Sequence, residues 1–510
     1  MEQYLLTLIT FLPALGMLVI LALPGTAVHA IRWCAALFTG AVLALSTWLY
    51  FWGFDPASPG MQFTEQHDWI PSFHIQYYMG VDGLSLPLVF LSALIHFVAV
   101  FSSWNISKSV KGYFALLLLL EVGVTGVFLA LDFFLFYVFW EIMLLPMYFL
   151  IGIWGGPRRE YAAIKFFLFT LAGSVLMLVA LVALYLKSGA GGIDPSFNLL
   201  ALRELAAGWA QDPSTFLGMK FTTWIFWFLF IGFAIKIPVF PFHTWLPDAH
   251  VEAPTPISVI LAGILLKLGA YGMMRVNFPL APDAFNTFRD TLAVLGTINI
   301  VYGAYVAMGQ TDFKRVVAYS SVSHMGYFLL GAAAMTSHGL NGANLQLFTH
   351  GTSSAMLFLI VGVVYDRAHH RDLNDFGGLG QRMPYYLGLS TIGIFAALGL
   401  PGLSGFIAEA ATLLGAYERY PLLVLISTLG IIMTAAFLLY ALQRVFLGKL
   451  PEKYAGFRDL SGREAFCLSV FAVWCILVGV LPTVVLNKMA PSLESWRTNM
   501  ELAIRTATGG

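Results

Sequence analysis

About fourteen apolar runs follow one another along this chain, each long enough to cross a hydrocarbon core of about 30 Å, which takes roughly 20 helical residues. They fall near residues 4–23, 31–52, 83–103, 113–131, 134–153, 164–186, 221–241, 254–275, 290–309, 316–335, 344–365, 387–417, 422–443 and 465–487. No connection exceeds about thirty residues, too short for an independent soluble core. Of the 510 residues 59% are hydrophobic and only 11% charged, too few charges to cover a soluble surface of that size. Lipid leaves no backbone donor or acceptor to water, and a helix satisfies its own. The expected fold is therefore an all-α polytopic membrane protein.

What remains of the composition excludes other classes. A formal net charge of +0 and the absence of basic blocks argue against nucleic acid, whose phosphates demand a neutralising face. The three cysteines, Cys34, Cys467 and Cys475, stand apart in apolar runs without a CxxC spacing, so neither a metal cluster nor a disulfide frame is expected. Tyr4 to Leu23 has no basic segment before it and no clean cleavage site, and reads as a retained helix. Lysines and arginines in the connections set orientation: about fifteen collect on one side and about nine on the other, which with an even helix number puts both termini on the non-cytoplasmic face.

Two runs are interrupted. The seventh, Phe221-Thr-Thr-Trp-Ile-Phe-Trp-Phe-Leu-Phe-Ile-Gly-Phe-Ala-Ile-Lys236, meets Pro238 and Pro241 directly behind its lysine. The twelfth carries Pro401, Gly402 and Gly405 in its middle and Glu409 just after. An ionisable side chain costs about 2.5–3.5 kcal/mol at the bilayer centre even on lenient scales, and those present usually mark charge pathways. Broken helices at corresponding places in two halves point to inverted repeats with sites near the midplane. Spans four to eight and nine to thirteen each number five, and an odd number turns the second unit upside down. The expected divisions are 1–112, a first repeat 113–275, a second 276–443, and a C-terminal helix and tail 444–510.

Further titratable residues fall in the same two units. Glu141 lies in the fifth span, Lys267 in the eighth, His324 after Ser320, Ser321 and Ser323 in the tenth, and His350 before Thr352, Ser353 and Ser354 in the eleventh. Glu141, Lys236, Lys267, His324, His350 and Glu409 form a candidate proton relay. Unit charges about 4 Å apart interact by roughly 4 kcal/mol at an effective dielectric near 20, so moving one partner would switch a site.

The strings Phe139-Trp140-Glu141-Ile-Met-Leu-Leu-Pro146, Lys236-Ile-Pro-Val-Phe-Pro-Phe-His243-Thr-Trp245-Leu-Pro247-Asp248-Ala-His250, Leu266-Lys267-Leu-Gly-Ala-Tyr-Gly, Asp312-Phe-Lys314-Arg315-Val-Val-Ala-Tyr319-Ser320-Ser-Val-Ser-His324 and Pro401-Gly-Leu-Ser-Gly-Phe-Ile-Ala-Glu409 resemble the antiporter-like membrane subunits of respiratory complex I. The resemblance covers most of the chain and implies about fourteen helices, inverted five-helix repeats and broken helices seven and twelve. It implies a bacterial inner-membrane location, a Glu141–Lys236 pair, Lys267 as central relay, and Glu409 at the end of the hydrated path. It also implies sister antiporter-like partner subunits, with FMN, iron-sulfur clusters and quinone bound by other subunits and none here. Glu409 stands where sister subunits and sodium/proton antiporter subunits typically carry lysine.

Other readings stay open. The same module occurs in multisubunit sodium/proton antiporters and in membrane-bound hydrogenase-type complexes, and a structural scaffold with vestigial charges is a third. Lys236 near an interface can snorkel into headgroups, Glu141 can hold a backbone group, Glu409 can cap the helix after the break, and the histidines can hydrogen-bond within the bundle. Glu121 and Lys165 read as mainly structural. His243, Asp248 and His250 fall in a connection after the break, where a compact turn or proton uptake explains them better than a metal.

Overall fold

The computed structural model describes residues 2–190 and 194–508, so the outermost residues of the first and last expected divisions lie outside the described residues. Among the described residues eleven helices are long and apolar enough to cross a membrane. The other three expected runs hold the 16-residue helix Phe221–Lys236, the helix Phe313–Ala334, and the pair Pro384–Ala397 and Ser404–Tyr417. Helix Phe313–Ala334 is less apolar because Lys314, Arg315, His324 and three serines interrupt it. The others are shortened by their breaks. The expected division points 112/113, 275/276 and 443/444 fall inside the helices Val110–Leu129, Thr255–Leu280 and Pro421–Phe446, and the chain turns a few residues away.

Two stretches differ from expectation. The last span ends at Val480, ahead of Pro482, and the expected tail is a 26-residue helix, Thr483–Thr508. Its buried Val485, Met489, Leu493, Trp496 and Met500 recur every three or four residues, one apolar stripe along an otherwise polar helix. Segment 53–82 forms a hairpin, Gln62–Ile70 paired antiparallel with Ile75–Val81. Its Glu65 accepts from the backbone N–H of Leu6 at 2.8 Å and Thr7 at 3.2 Å, satisfying donors that the first helix leaves open.

Breaks at membrane depth need partners for the freed backbone, and helix seven has them. Asn299 accepts from Phe240 N at 2.8 Å and donates to Pro238 O at 3.1 Å, while Trp245 Nε1 donates to Ile235 O at 2.8 Å. In helix twelve Gly399 and Gly402 take φ of +78° and +94°, which side chains with a Cβ rarely adopt, and the chain resumes as a helix at Ser404. Each broken helix lies against the long helix before it through small residues. A Cβ on Gly232 would sit 2.9 Å from Gly173 O, and one on Gly415 only 2.0 Å from Gly339 N.

Two similar clasps occur, one within each of the stretches 113–275 and 276–443. Asp132 caps the helix beginning at Phe133, accepting from Phe134 N and Leu135 N at 2.9 and 3.0 Å. Phe133 N donates to Phe197 O and Leu199 N to Leu131 O. Asp312 likewise accepts from Lys314 N and Arg315 N at 2.8 and 3.1 Å, Phe313 N donates to Arg371 O, and Leu373 N to Thr311 O. Each clasp ties the start of a unit's second helix to the segment that follows its third.

Helices Thr255–Leu280 and Ser337–Ala368 are enclosed over their most apolar windows. Helices Arg159–Ser188 and Pro421–Phe446 instead present Ile164, Leu168, Val175, Leu422, Leu425 and Ile432 outward. Of the six candidate residues, Lys267 and His350 sit on these two enclosed helices.

Candidate functional site

Lys236 is the last residue of its helix and only 1% exposed. Its ammonium lies over two rings, 5.6 Å from the Trp140 centroid and 5.4 Å from that of Phe166, within cation–π range. Trp140 is held by Nε1 donating to Ser174 Oγ at 3.2 Å. Glu141 is within electrostatic range of Lys236, yet no carboxylate among the described residues comes within 4.0 Å of the ammonium. The expected contact pair is therefore open in this conformation. Nor is Glu141 deep in the bundle: it is partly exposed. The fifth span breaks at Met143 into Phe133–Ile142 and Leu144–Trp154, because Pro146 cannot donate back to Ile142. Of the Glu141 carboxyl oxygens, Oε1 is buried and makes no hydrogen bond to protein.

The other four expected residues come together. Lys267 stands between two π-helical turns, Leu261–Leu265 and Met273–Asn277, a distortion common at functional sites. It is fully buried and donates to Ala262 O. Its Nζ also lies 2.9 Å from His350 Nδ1, which accepts from it whenever Lys267 is an ammonium. The His350 and His324 ring centroids are 5.4 Å apart. His324 Nδ1 lies 3.0 Å from Glu409 Oε1. Helices eight, eleven, ten and twelve each contribute one member, and all four are at most 6% exposed. Enclosed charges without partners are costly, and here each side chain has another titratable group beside it.

Several residues of this region were not foreseen as parts of it. His250, expected in a surface connection, is fully buried on the helix Trp245–Glu252, stacked on Phe358 with centroids 4.4 Å apart. Neither ring nitrogen hydrogen-bonds to protein. It lies within electrostatic range of Lys267, His350 and Lys314. Lys314, whose place beside Arg315 marks it as an interfacial charge, is 3% exposed and donates to Ala253 O. It borders a cavity of about 160 Å³ that also touches Glu252 and Arg371. Asp248 gathers Lys165 at 2.7 Å, Arg315 at 3.7 Å and Arg158 at 3.9 Å. His243 rests against the Phe240 and Tyr302 rings. Glu121 is fully buried, its carboxyl oxygens making no hydrogen bond to protein, and it stands outside the chain of contacts. Among the described residues no group of three or more His, Cys, Asp or Glu has the arrangement of a metal site.

The family model for the transmembrane region of NADH:quinone oxidoreductase and Mrp antiporter subunits matches residues 130–434. The chain belongs to this family. The match holds both breaks and every residue of the chain of contacts. A curated relative, NADH-quinone oxidoreductase subunit M of Rhodobacter capsulatus, is 42% identical over 100% of both chains. "NAD(P)H-quinone oxidoreductase chain 4 3" of a Picosynechococcus strain is 39% identical, covering 98% of this chain and 94% of its own. Among solved structures, a chain in respiratory complex I from Thermus thermophilus with bound NADH superposes with a TM-score of 0.85 at 31% identity, over 98% of this chain and 100% of that one. A chain of the Mrp complex from Dietzia shares the fold at TM-score 0.79 and 23% identity, over 96% of this chain and 52% of that one.

Proposed function

We infer that the chain is a proton-translocating membrane-arm subunit of an NADH:quinone oxidoreductase, working beside sister antiporter-like subunits. The full-length relatives named as subunit M or chain 4 support this reading. The observation that carries the mechanism is the contact series Lys267, His350, His324, Glu409, with 2.9 and 3.0 Å contacts at its ends and a 5.4 Å ring separation between. A proton on Lys267 passes to His350 Nδ1, crosses to His324 by ring rotation or through one water, and reaches Glu409. Lys236 and Glu141 form the switch. With Glu141 drawn toward it the Lys236 ammonium is held, and with Glu141 apart from it, as here, the charge rests on ring faces alone. Because Glu141 is partly exposed, a charge in a neighbouring subunit can act on it.

Around this mechanism we place two inverted five-helix repeats, supported by the matched Asp132 and Asp312 clasps. The termini face the non-cytoplasmic side of a bacterial inner membrane. Flavin, iron-sulfur clusters and quinone belong to partner subunits, so electron transfer occurs elsewhere and this chain supplies translocation.

Isolation of the tagged chain from native membranes, with mass spectrometry of its partners and quinone-reductase assay of the eluate, tests the assignment. Flavin- and iron-sulfur-bearing partners with activity are expected. Recovery of only small hydrophobic antiporter subunits would move the chain to a sodium/proton antiporter.

A further inference from the structure

We propose, on the reading of this chain as a proton translocator, that Glu121, Thr125 and His96 form a second proton-holding site, joined by a bound water, that stores a proton for Lys267. Glu121 and His96 are fully buried and Thr125 is 1% exposed. Both Glu121 carboxyl oxygens, the Thr125 hydroxyl and His96 Nε2 make no hydrogen bond to protein. An acid kept for packing alone would be hydrogen-bonded, because a buried polar group left unsatisfied costs about 1–3 kcal/mol. His96 Nδ1 donates to Ser92 O at 2.9 Å, which leaves Nε2 an acceptor in the neutral ring. Glu121 in its acid form is a donor, and the hydroxyl of Thr125, four residues on and on the same side of the helix, is both donor and acceptor. A water between the three finds the two to four polar partners that a buried water needs.

Three helices that pack on one another, Leu86–Ser102, Val110–Leu129 and Thr255–Leu280, bring these groups together. Ser103 Oγ lies 2.9 Å from Tyr113 Oη, which sets the antiparallel register of the first two. His96 is seven residues before Ser103 and Glu121 eight after Tyr113, so both stand about 10–12 Å further into the bundle, at one height. The Phe128 and Tyr271 ring centroids are 5.3 Å apart, with Glu121 two turns before Phe128 on the same face and Lys267 one turn before Tyr271. Both of these helices end beside the hairpin, where Met79 bridges Ala130 and Asp82 pairs with Arg275 at 2.6 Å, so they run the same way. Glu121 therefore stands within about 5 Å of the height of Lys267, on the side turned toward its helix. From the third helix Ile95, next to His96, packs on Gly263, whose Cβ would lie 2.6 Å from Ile95 Cδ1. Lys267 is a neutral amine once it has passed its proton to His350. Glu121 then gives its proton through the water to that nitrogen, leaving a carboxylate and an ammonium that balance each other, and the carboxylate takes a proton back when the relay is next loaded. The site thus stores one proton and returns it, with none gained or lost.

The test uses the intact complex in native membranes, with NADH-driven proton uptake and infrared difference spectra taken on adding NADH. A carboxyl C=O band that moves in heavy water and is lost in Glu121→Gln is expected. Proton uptake in that variant should fall to about a tenth, the loss of one charge-assisted partner, while artificial-acceptor oxidation persists. Thr125→Val keeps the shape and should shift the band and lower uptake about threefold, so the site stays testable if Glu121→Gln does not assemble. His96→Phe added to Glu121→Gln should lower uptake no further, because the two act as one site. Additive losses would make them separate packing defects and overturn the proposal, as would a carboxyl spectrum that neither Glu121→Gln nor Thr125→Val alters. With uptake lost in Lys267→Ala, full uptake in Glu121→Gln would overturn this site alone. Full uptake in Lys267→Ala as well would overturn the translocation reading on which the site depends.

Discussion

Shortening Glu409 by one methylene probes the proposed relay at its carboxylate–imidazole contact. Its Oε1 lies 3.0 Å from His324 Nδ1 with both side chains buried. When the pair is ionised, that separation corresponds to roughly 5.5 kcal/mol at an effective dielectric near 20. Glu409→Asp withdraws the carboxylate by about 1.5 Å, the length of one carbon–carbon bond. At about 4.5 Å the attraction falls to roughly 3.7 kcal/mol. The difference lowers the population of the ionised pair about twentyfold, at 1.36 kcal/mol per factor of ten. Glu409→Gln keeps the shape and a hydrogen-bond acceptor but removes the charge altogether. Inverted membrane vesicles, with NADH-driven proton uptake followed by a quenched fluorophore, give the readout. Assembled complex is normalised by NADH oxidation with an artificial acceptor. The expected order is wild type, then Asp at about a twentieth of the rate, then Gln at background. Uptake in Glu409→Gln equal to that in Glu409→Asp would refute the electrostatic reasoning, because shape and hydrogen bonding would then suffice.

Lys236→Ala should abolish proton uptake and quinone-linked turnover while artificial-acceptor oxidation persists; a normal gradient in that variant would remove Lys236 from the path. Glu141→Asp should be milder than Glu141→Ala, and equal defects in vesicle pumping would mean that geometry rather than charge governs the switch. His250→Phe preserves the ring stack on Phe358 but has no titratable nitrogen, so pumping should fall with the complex still assembled on a native gel; unchanged pumping would make His250 a packing element. Gly415→Ala brings a methyl to within about 2.0 Å of Gly339 N and should cost about 1–3 kcal/mol, seen as reduced assembled complex in membranes rather than as a selective pumping defect.

The membrane-spanning character of the chain, the approximate position of nearly every helix, and the six candidate residues are legible in the sequence because lipid imposes one rule on all of it. A segment must be apolar for about twenty residues, and any lysine, glutamate or proline inside it stands out. The same local rule reveals the breaks behind Lys236 and at Pro401. It does not reveal which charged side chains meet. The series Lys267, His350, His324, Glu409 joins four helices, and its 2.9 and 3.0 Å contacts depend on how those helices cross. Nor does it separate His250 and Lys314 from ordinary interfacial charges. Their burial follows from the helix Trp245–Glu252 packing against the helices Arg159–Ser188 and Phe313–Ala334, a placement that no local pattern directs. The amphipathic helix Thr483–Thr508 fails the length-and-apolarity test because only one of its faces is apolar. What that face covers was decided by the helix ends assembled beneath it. Sequence thus determined what must lie in the membrane and which groups are out of place there, since transfer from water acts residue by residue. Tertiary structure alone decided which of those groups are neighbours, since a proton passes only between atoms a few ångströms apart.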